Sequence, residues 1–299
     1  MSTDLELRGV LAATVTPFDA ESRVDVEALG RLAEYLIAGG ISGFVPCGSS
    51  GEFSSLSGTE RRHVVESLIA LSSGRVPVVP HTGALTTAES VALSRHADEA
   101  GASAVMVVPP FYDVPSWPEI QRHYHAIADS IDIPVVIYNI PSATKIGLSP
   151  AQLAELAKIP NVRYVKDSSG DASALTELVQ RYGDVLTTLN GWDSLTFYGF
   201  LAGTQACIWG AANFMPAACV ELYENCVVHS DLKAARARWQ TVWPICNFLE
   251  THSYIAGVKA ACDIVGVSAG DPRAPFLPLA GPERAELEDL LKAAGIVGS

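Results

Sequence analysis

Eight short apolar runs, each followed by a stretch of helical periodicity, constrain the fold of this chain more than any other feature. The runs are Val10 to Val15, Gly43 to Cys47, Val76 to Pro80, Ala104 to Val108, Pro134 to Tyr138, Val162 to Lys166, Val185 to Leu189 and Ala206 to Trp209. They are continuous rather than alternating, as expected for parallel strands buried on both faces. The intervening stretches carry helix signals. Asp25, Thr59 and Thr87 precede apolar stripes, and Ser149-Pro150 sets an N-cap and a first-turn proline before Leu153 and Leu156. Gly39-Gly40, Gly74, Gly101 and Gly183 fall where helices should end.

Eight strand–helix units predict an α/β fold of the (β/α)8 TIM-barrel type. A doubly wound sheet would call for a Gly-rich first turn, and here the first strand leads into Thr14-Val15-Thr16-Pro17-Phe18. The eighth helix is expected to begin near Met215. After His229 only helical patterns remain, at Leu232 to Leu249, Tyr254 to Val265 and Glu283 to Ala294. The chain therefore divides into a barrel over residues 1–229 and a C-terminal helical extension over 230–299.

Of the 299 residues 48% are hydrophobic and 18% charged, which supplies a large core and argues against disorder. The formal net charge of −13 opposes binding to phosphate backbones or anionic membranes, and no Lys/Arg cluster offsets it. The six cysteines, at 47, 207, 219, 226, 246 and 262, form no C-x-x-C pair and read as buried, reduced thiols. The start Met1-Ser2-Thr3-Asp4 lacks a basic, apolar leader, and no run approaches the roughly 20 apolar residues of a membrane span. The expectation is a cytoplasmic protein acting on a small molecule, without nucleic-acid or membrane partners.

In a barrel of this kind the site lies at the C-terminal ends of the strands. Lys166 ends the sixth run, where burial favours a neutral, nucleophilic amine able to form a Schiff base with a ketone. Tyr138 ends the preceding run and can move the protons such an attack needs. The loop Gly48-Ser49-Ser50-Gly51-Glu52 follows the second run and exposes consecutive N–H groups and hydroxyls suited to a carboxylate. Trp209, Asp193 and Tyr112 end or follow other runs on the same rim. His81, with no visible partner, reads as a structural histidine, and Cys47 as a packing residue. His123 and His125 are two apart on a helix, do not share a face, and read as solvated surface rather than metal ligands.

Together Gly48-Ser49-Ser50-Gly51-Glu52, Tyr138-Asn139-Ile140-Pro141 and Val165-Lys166-Asp167, supported by Pro109-Pro110-Phe111-Tyr112 and Gly203-Thr204-Gln205-Ala206, resemble the dihydrodipicolinate synthase/N-acetylneuraminate lyase family. The resemblance spans essentially the whole chain. It implies a class I, pyruvate-dependent lyase in which Lys166 forms an iminium with a 2-keto acid and Tyr138 is the general acid/base. Ser49 and Tyr112 would complete a proton relay, Tyr112 coming from a neighbouring subunit of a homotetramer built as a dimer of dimers. Backbone around Gly48, Ser49 and Ser50 would hold the pyruvate carboxylate. No cofactor beyond the covalent Schiff base on Lys166, and no metal, is implied.

Two departures bear on the second substrate. Where the synthase carries an arginine that grips a second carboxylate, this chain has Ala143, with Lys145 two residues on. In Asn190-Gly191-Trp192-Asp193 the aspartate of the lyase branch is present, but the glutamate after it is Ser194. A 2-keto-3-deoxy sugar acid is the predicted substrate, with Ala143, Asp193, Ser50, Gly48 and Trp209 in its pocket. The alternatives are 4-hydroxy-tetrahydrodipicolinate synthase or a related dehydratase or deaminase, and a catalytically silent barrel that binds a keto acid.

Overall fold

The computed structural model describes residues 6–298. Seven strands follow in chain order: β1 (Gly9–Ala12), β2 (Gly43–Phe44), β3 (Val105–Val107), β4 (Val135–Asn139), β5 (Val162–Asp167), β6 (Thr187–Asn190) and β7 (Ala206–Trp209). They form one parallel sheet in the order β2-β1-β7-β6-β5-β4-β3, curled on itself with helices outside in a TIM-like arrangement.

The third apolar run is not a regular strand, and its sequence explains why. Pro77 and Pro80 have no N–H to donate, so a continuous ladder cannot form. Segment 77–82 makes isolated bridges instead, Phe44 to Val78 and His81 to Met106. On one side Val79 N donates to Phe44 O at 2.8 Å and His81 N to Pro46 O at 2.9 Å. On the other, Met106 N donates to Pro80 O and Thr82 N to Met106 O, both at 2.8 Å. The segment therefore touches both edges of the sheet.

The helices around the sheet are α1 (Val26–Ala38), α2 (Gly58–Ser72), α3 (Thr87–Glu99), α4 (Trp117–Ala128), the single turn α5 (Pro141–Thr144), α6 (Pro150–Leu156), α7 (Ala172–Tyr182), α8 (Thr196–Ala202) and α9 (Pro216–Tyr223). Three more follow: α10 (Leu232–Thr251), α11 (Tyr254–Ile264) and α12 (Gly281–Ala293). The Asp25 carboxylate caps α1 by accepting from Ala28 N at 2.9 Å, and Ser149 caps α6 with Pro150 in its first turn. The N-cap of α2 is Ser57, two residues before the expected Thr59. Ser57 and Glu60 form a reciprocal capping box there, which satisfies two otherwise unpaired donors.

Strand parity sorts the core into layers. Leu11, Val45, Val79, Met106, Val136, Tyr138, Leu189 and Ile208 fill the interior of the curl. Val105, Val107, Val135, Ile137 and Val165 face the helices. Residues of α10, α11 and α12, such as Val242, Val258 and Leu287, share one apolar cluster with Phe44, Trp209 and Phe214. Each such aliphatic side chain contributes about 1.5–3 kcal/mol by leaving water. All six cysteines are free and buried.

Candidate active site

The ends of β4 and β5 place the two main candidates side by side. Tyr138 pairs in register with Lys166, and both side chains face the interior. The Lys166 Nζ lies 4.2 Å from the centre of the Tyr138 ring, and the lysine is only 6% exposed. The next pair in register, Asn139 and Asp167, turns to the helix side. There Asn139 Nδ2 donates to Asp167 Oδ1 at 2.8 Å, and Leu148 N donates to Asn139 Oδ1 at 3.2 Å. Asp167 thus anchors the segment after β4. Its other carboxylate oxygen accepts from Ser169 Oγ at 2.8 Å.

Gly191 lets Lys166 lie where it does. A Cβ at that position would come within 2.6 Å of the lysine Cε and collide with Ser168 Oγ. Across the cavity, the loop after β2 is bracketed by two non-glycine residues in the left-handed region, Cys47 at φ 57° and Glu52 at φ 55°. Gly51 inside it approaches the backbone so closely that a Cβ would meet Cys47 N and Thr14 O at 2.9 Å. The Thr16 hydroxyl donates to Gly51 O at 2.7 Å. This held loop brings Ser49 Oγ to 3.4 Å from the Tyr138 hydroxyl.

Ser49, Ser50, Tyr138, Ala143, Lys166 and Asp193 all line one cavity of about 320 Å³. Three candidates do not. Trp209 is fully buried on the helix side, its ring 6.5 Å from that of Trp239, because parity turns its neighbour Ile208 inward instead. Gly48 lies off the cavity wall, its carbonyl accepting from Phe53 N at 3.3 Å. Tyr112 is 90% exposed at φ 84° and stands outside the cavity of its own chain.

Asp193 sits on the wall opposite the serine loop. It accepts from the Tyr254 hydroxyl at 2.8 Å, and Ser194 N donates to Glu250 Oε1 at 2.9 Å. Burial pushes the Asp193 carboxyl up to about 7, against the pull of the Tyr254 hydrogen bond, and Glu250 adds to the rise. Glu250, Tyr254 and Ile255 reach the cavity from α10 and α11. Sequence reasoning missed them, since they lie 57 to 62 positions beyond Asp193 in a region with no strand pattern.

Behind the serine loop, His81 is buried with its Nδ1 donating to Cys47 O at 2.9 Å. Burial, then the Arg61 charge, holds its pKa well below the usual histidine value, so the ring is neutral. Arg61, also missed, is buried and donates to His81 O at 2.8 Å and Gly83 O at 3.1 Å. The Cys47 thiol is pushed up to about 12 by burial, which fits packing rather than attack. His123 corrects the surface reading. It is buried edge-on to Tyr124, hydrogen-bonds Thr87 at 3.0 Å through Nδ1, and its pKa falls to about 4 from burial. Among the described residues no cluster of three or more His, Cys, Asp or Glu could hold a metal, and no helix is long and apolar enough to cross a membrane.

The model of the Dihydrodipicolinate synthetase family matches residues 6–294. A curated relative from Syntrophobacter fumaroxidans, named 4-hydroxy-tetrahydrodipicolinate synthase, is 36% identical over 97% of this chain and 99% of its own. The solved structure of a chloride-inhibited dihydrodipicolinate synthase from Acinetobacter baumannii, complexed with pyruvate, superimposes with a TM-score of 0.93 at 31% identity, covering 98% of this chain and 100% of its own. A structure described as the first monomeric dihydrodipicolinate synthase variant gives 0.91 at 28% identity, covering 97% and 98%. Enzymes of this family are pyruvate-dependent lyases that work through a Schiff-base lysine and no external cofactor. With a family model and relatives that run almost from end to end, the chain belongs to the dihydrodipicolinate synthetase family and is a pyruvate-dependent lyase.

Proposed function

We propose that Lys166 is the Schiff-base lysine of this enzyme. The observation that carries the reading is its position at 4.2 Å from the Tyr138 ring, on paired strand ends facing one cavity. The Lys166 amine adds to the keto carbon of pyruvate, and loss of water leaves a protonated imine. That imine is an electron sink, so a proton lost from the methyl carbon gives an enamine that can attack an aldehyde. Tyr138 moves protons at the developing hydroxyl, in contact with Ser49. Backbone at Ser49 and Ser50 receives the pyruvate carboxylate.

Two partner aldehydes have support of different kinds. Whole-chain similarity to proteins named 4-hydroxy-tetrahydrodipicolinate synthase is the stronger support and favours condensation with aspartate semialdehyde. The cavity wall supports the second reading, a hydroxylated neutral aldehyde from a 2-keto-3-deoxy sugar acid. Among the described lining residues Lys166 is the one cation, Asp193 and Glu250 are acids, and Ala143 occupies the clamp position. Lys145 does not line the cavity, its ammonium donating to Ser142 O at 3.1 Å. Lacking a charge-assisted clamp, an anionic aldehyde forgoes roughly 1.5–3 kcal/mol. Parallel assays of pyruvate consumption with aspartate semialdehyde, and of pyruvate release from 2-keto-3-deoxy acids, decide between them. Efficient turnover of only the first would remove the sugar-acid reading.

The architecture we assign to this chemistry is an eight-stranded barrel over residues 1–229, with segment 77–82 as its irregular third strand, and a helical extension over 230–299. Tyr112 at 90% exposure, in a left-handed conformation, fits a residue delivered to a neighbouring copy. A homotetramer built as a dimer of dimers, in the cytoplasm, is the assembly and setting we propose. Sedimentation at assay concentration tests it; a fully active monomer would refute the shared site.

A further inference from the structure

The loop that faces the cavity is tied from behind to the C-terminal extension through a buried ion pair. Glu52, the last residue of the loop, places Oε1 2.7 Å from Lys259 Nζ on α11, with side chains 0% and 2% exposed. Its Oε2 accepts from Arg273 N at 2.9 Å. Lys259 Nζ also donates to Asp271 O at 3.1 Å and lies 4.0 Å over the Phe18 ring, while the Arg273 guanidinium lies 4.2 Å from that ring. Arg273 goes on to Ser22 O, Ser55 O and Glu60. Helix α11 and the segment after it therefore meet the loop after β2 at one carboxylate, and the loop after β1 packs on the two cations, Lys259 and Arg273.

Such a pair is a poor choice for stability alone, since desolvating both charges offsets most of their attraction. It matters for what lies beside it. Glu52 follows Ser49 by three residues, and a bare carboxylate there would repel an anion placed on the loop. Its left-handed backbone also needs external support to persist. We propose that Glu52 and Lys259 are positioning residues for pyruvate: Lys259 neutralises and anchors Glu52, and Glu52 in turn holds the Ser49–Ser50 backbone in its receiving geometry. The helical extension thereby sets affinity for the substrate carboxylate without entering the cavity at that point. This inference rests on the reading of the serine loop as the carboxylate site.

The test compares the concentrations of pyruvate and of its neutral methyl ester that give half-maximal borohydride trapping. Wild type should trap pyruvate at roughly tenfold or more lower concentration than the ester, the size of a charge-assisted hydrogen bond. In the charge-free double variant Glu52→Gln/Lys259→Met the pyruvate value should rise by roughly tenfold while the ester value stays put. If that variant does not fold, Glu52→Asp keeps both charges, withdraws the carboxylate by one methylene, and should act in the same direction. A folded variant with the wild-type pyruvate value, or one in which both ketones shift alike, would overturn the positioning role. A wild type that does not distinguish pyruvate from its ester would overturn the carboxylate reading of the loop itself, and this inference with it.

Discussion

On one side of the cavity Lys166 and Tyr138 come from the ends of neighbouring strands, 28 positions apart and locked in register by the sheet. Next to them on the cavity wall, just after β6, Asp193 accepts from Tyr254 and Ser194 N donates to Glu250, partners that arrive from helices outside the sheet. The first wall is built by β-pairing, so its geometry follows from strand order and parity alone. The second is built by packing of a C-terminal extension, so its geometry depends on a tertiary interface. This difference suggests a division of labour. The strand wall carries the step common to the family, and the packed wall carries what varies, the choice of the second substrate.

Substitutions should separate the two walls, beginning with the strand side. Lys166→Ala should abolish turnover with the fold intact, since no other amine lines the described cavity; residual turnover above background would break the comparison. Tyr138→Phe should still form the pyruvate adduct but slow its formation by about 10²–10⁴-fold, the usual cost of a lost general acid/base. Stopped-flow trapping reads this directly, and wild-type rates would remove the tyrosine from the mechanism.

On the packed wall the effects should be smaller and confined to the second substrate. Asp193→Ala should raise KM for a sugar-acid substrate by roughly tenfold, the scale of one hydrogen bond to a charged group, while pyruvate trapping is unchanged. Equal losses for both substrates would erase the division between the walls. The same residue gives a pH signature. Its folded-state pKa is raised to about 7 from an ordinary 3.8, so the folded protein binds the extra proton between those values. Stability from this group is fully present below about pH 4 and declines as pH rises toward 7. Melting of wild type relative to Asp193→Asn should therefore worsen across that window; a constant offset would show that Asp193 titrates normally.

How far the sequence could be read follows the same line. The strand ends at or beside Val108, Tyr138, Lys166, Leu189 and Trp209, the caps at Asp25 and Ser149, and the helices from Leu232, Tyr254 and near Glu283 are local signals that the structure has within about two residues. Strands β1 and β2, by contrast, stop at Ala12 and Phe44, three residues short of Val15 and Cys47. The run Val76 to Pro80 carries strand composition, but two prolines leave it without a ladder. Trp209 ends a strand, and a one-residue change of parity decides between cavity and helix layer. His123 and His125 differ by the same kind of step, one buried against Tyr124 and the other exposed. Helical spacing says that two residues face apart; it does not say which of them meets a neighbour. Tyr254, Glu250 and Arg61 reach the site through helix docking, which no local pattern records.

The most direct test of the central claim is borohydride reduction in the presence of pyruvate, followed by peptide mass spectrometry. The account expects one reduced pyruvate adduct, on the peptide containing Lys166, and none in Lys166→Ala. An adduct on another lysine, or none in an enzyme that turns over pyruvate, would contradict it.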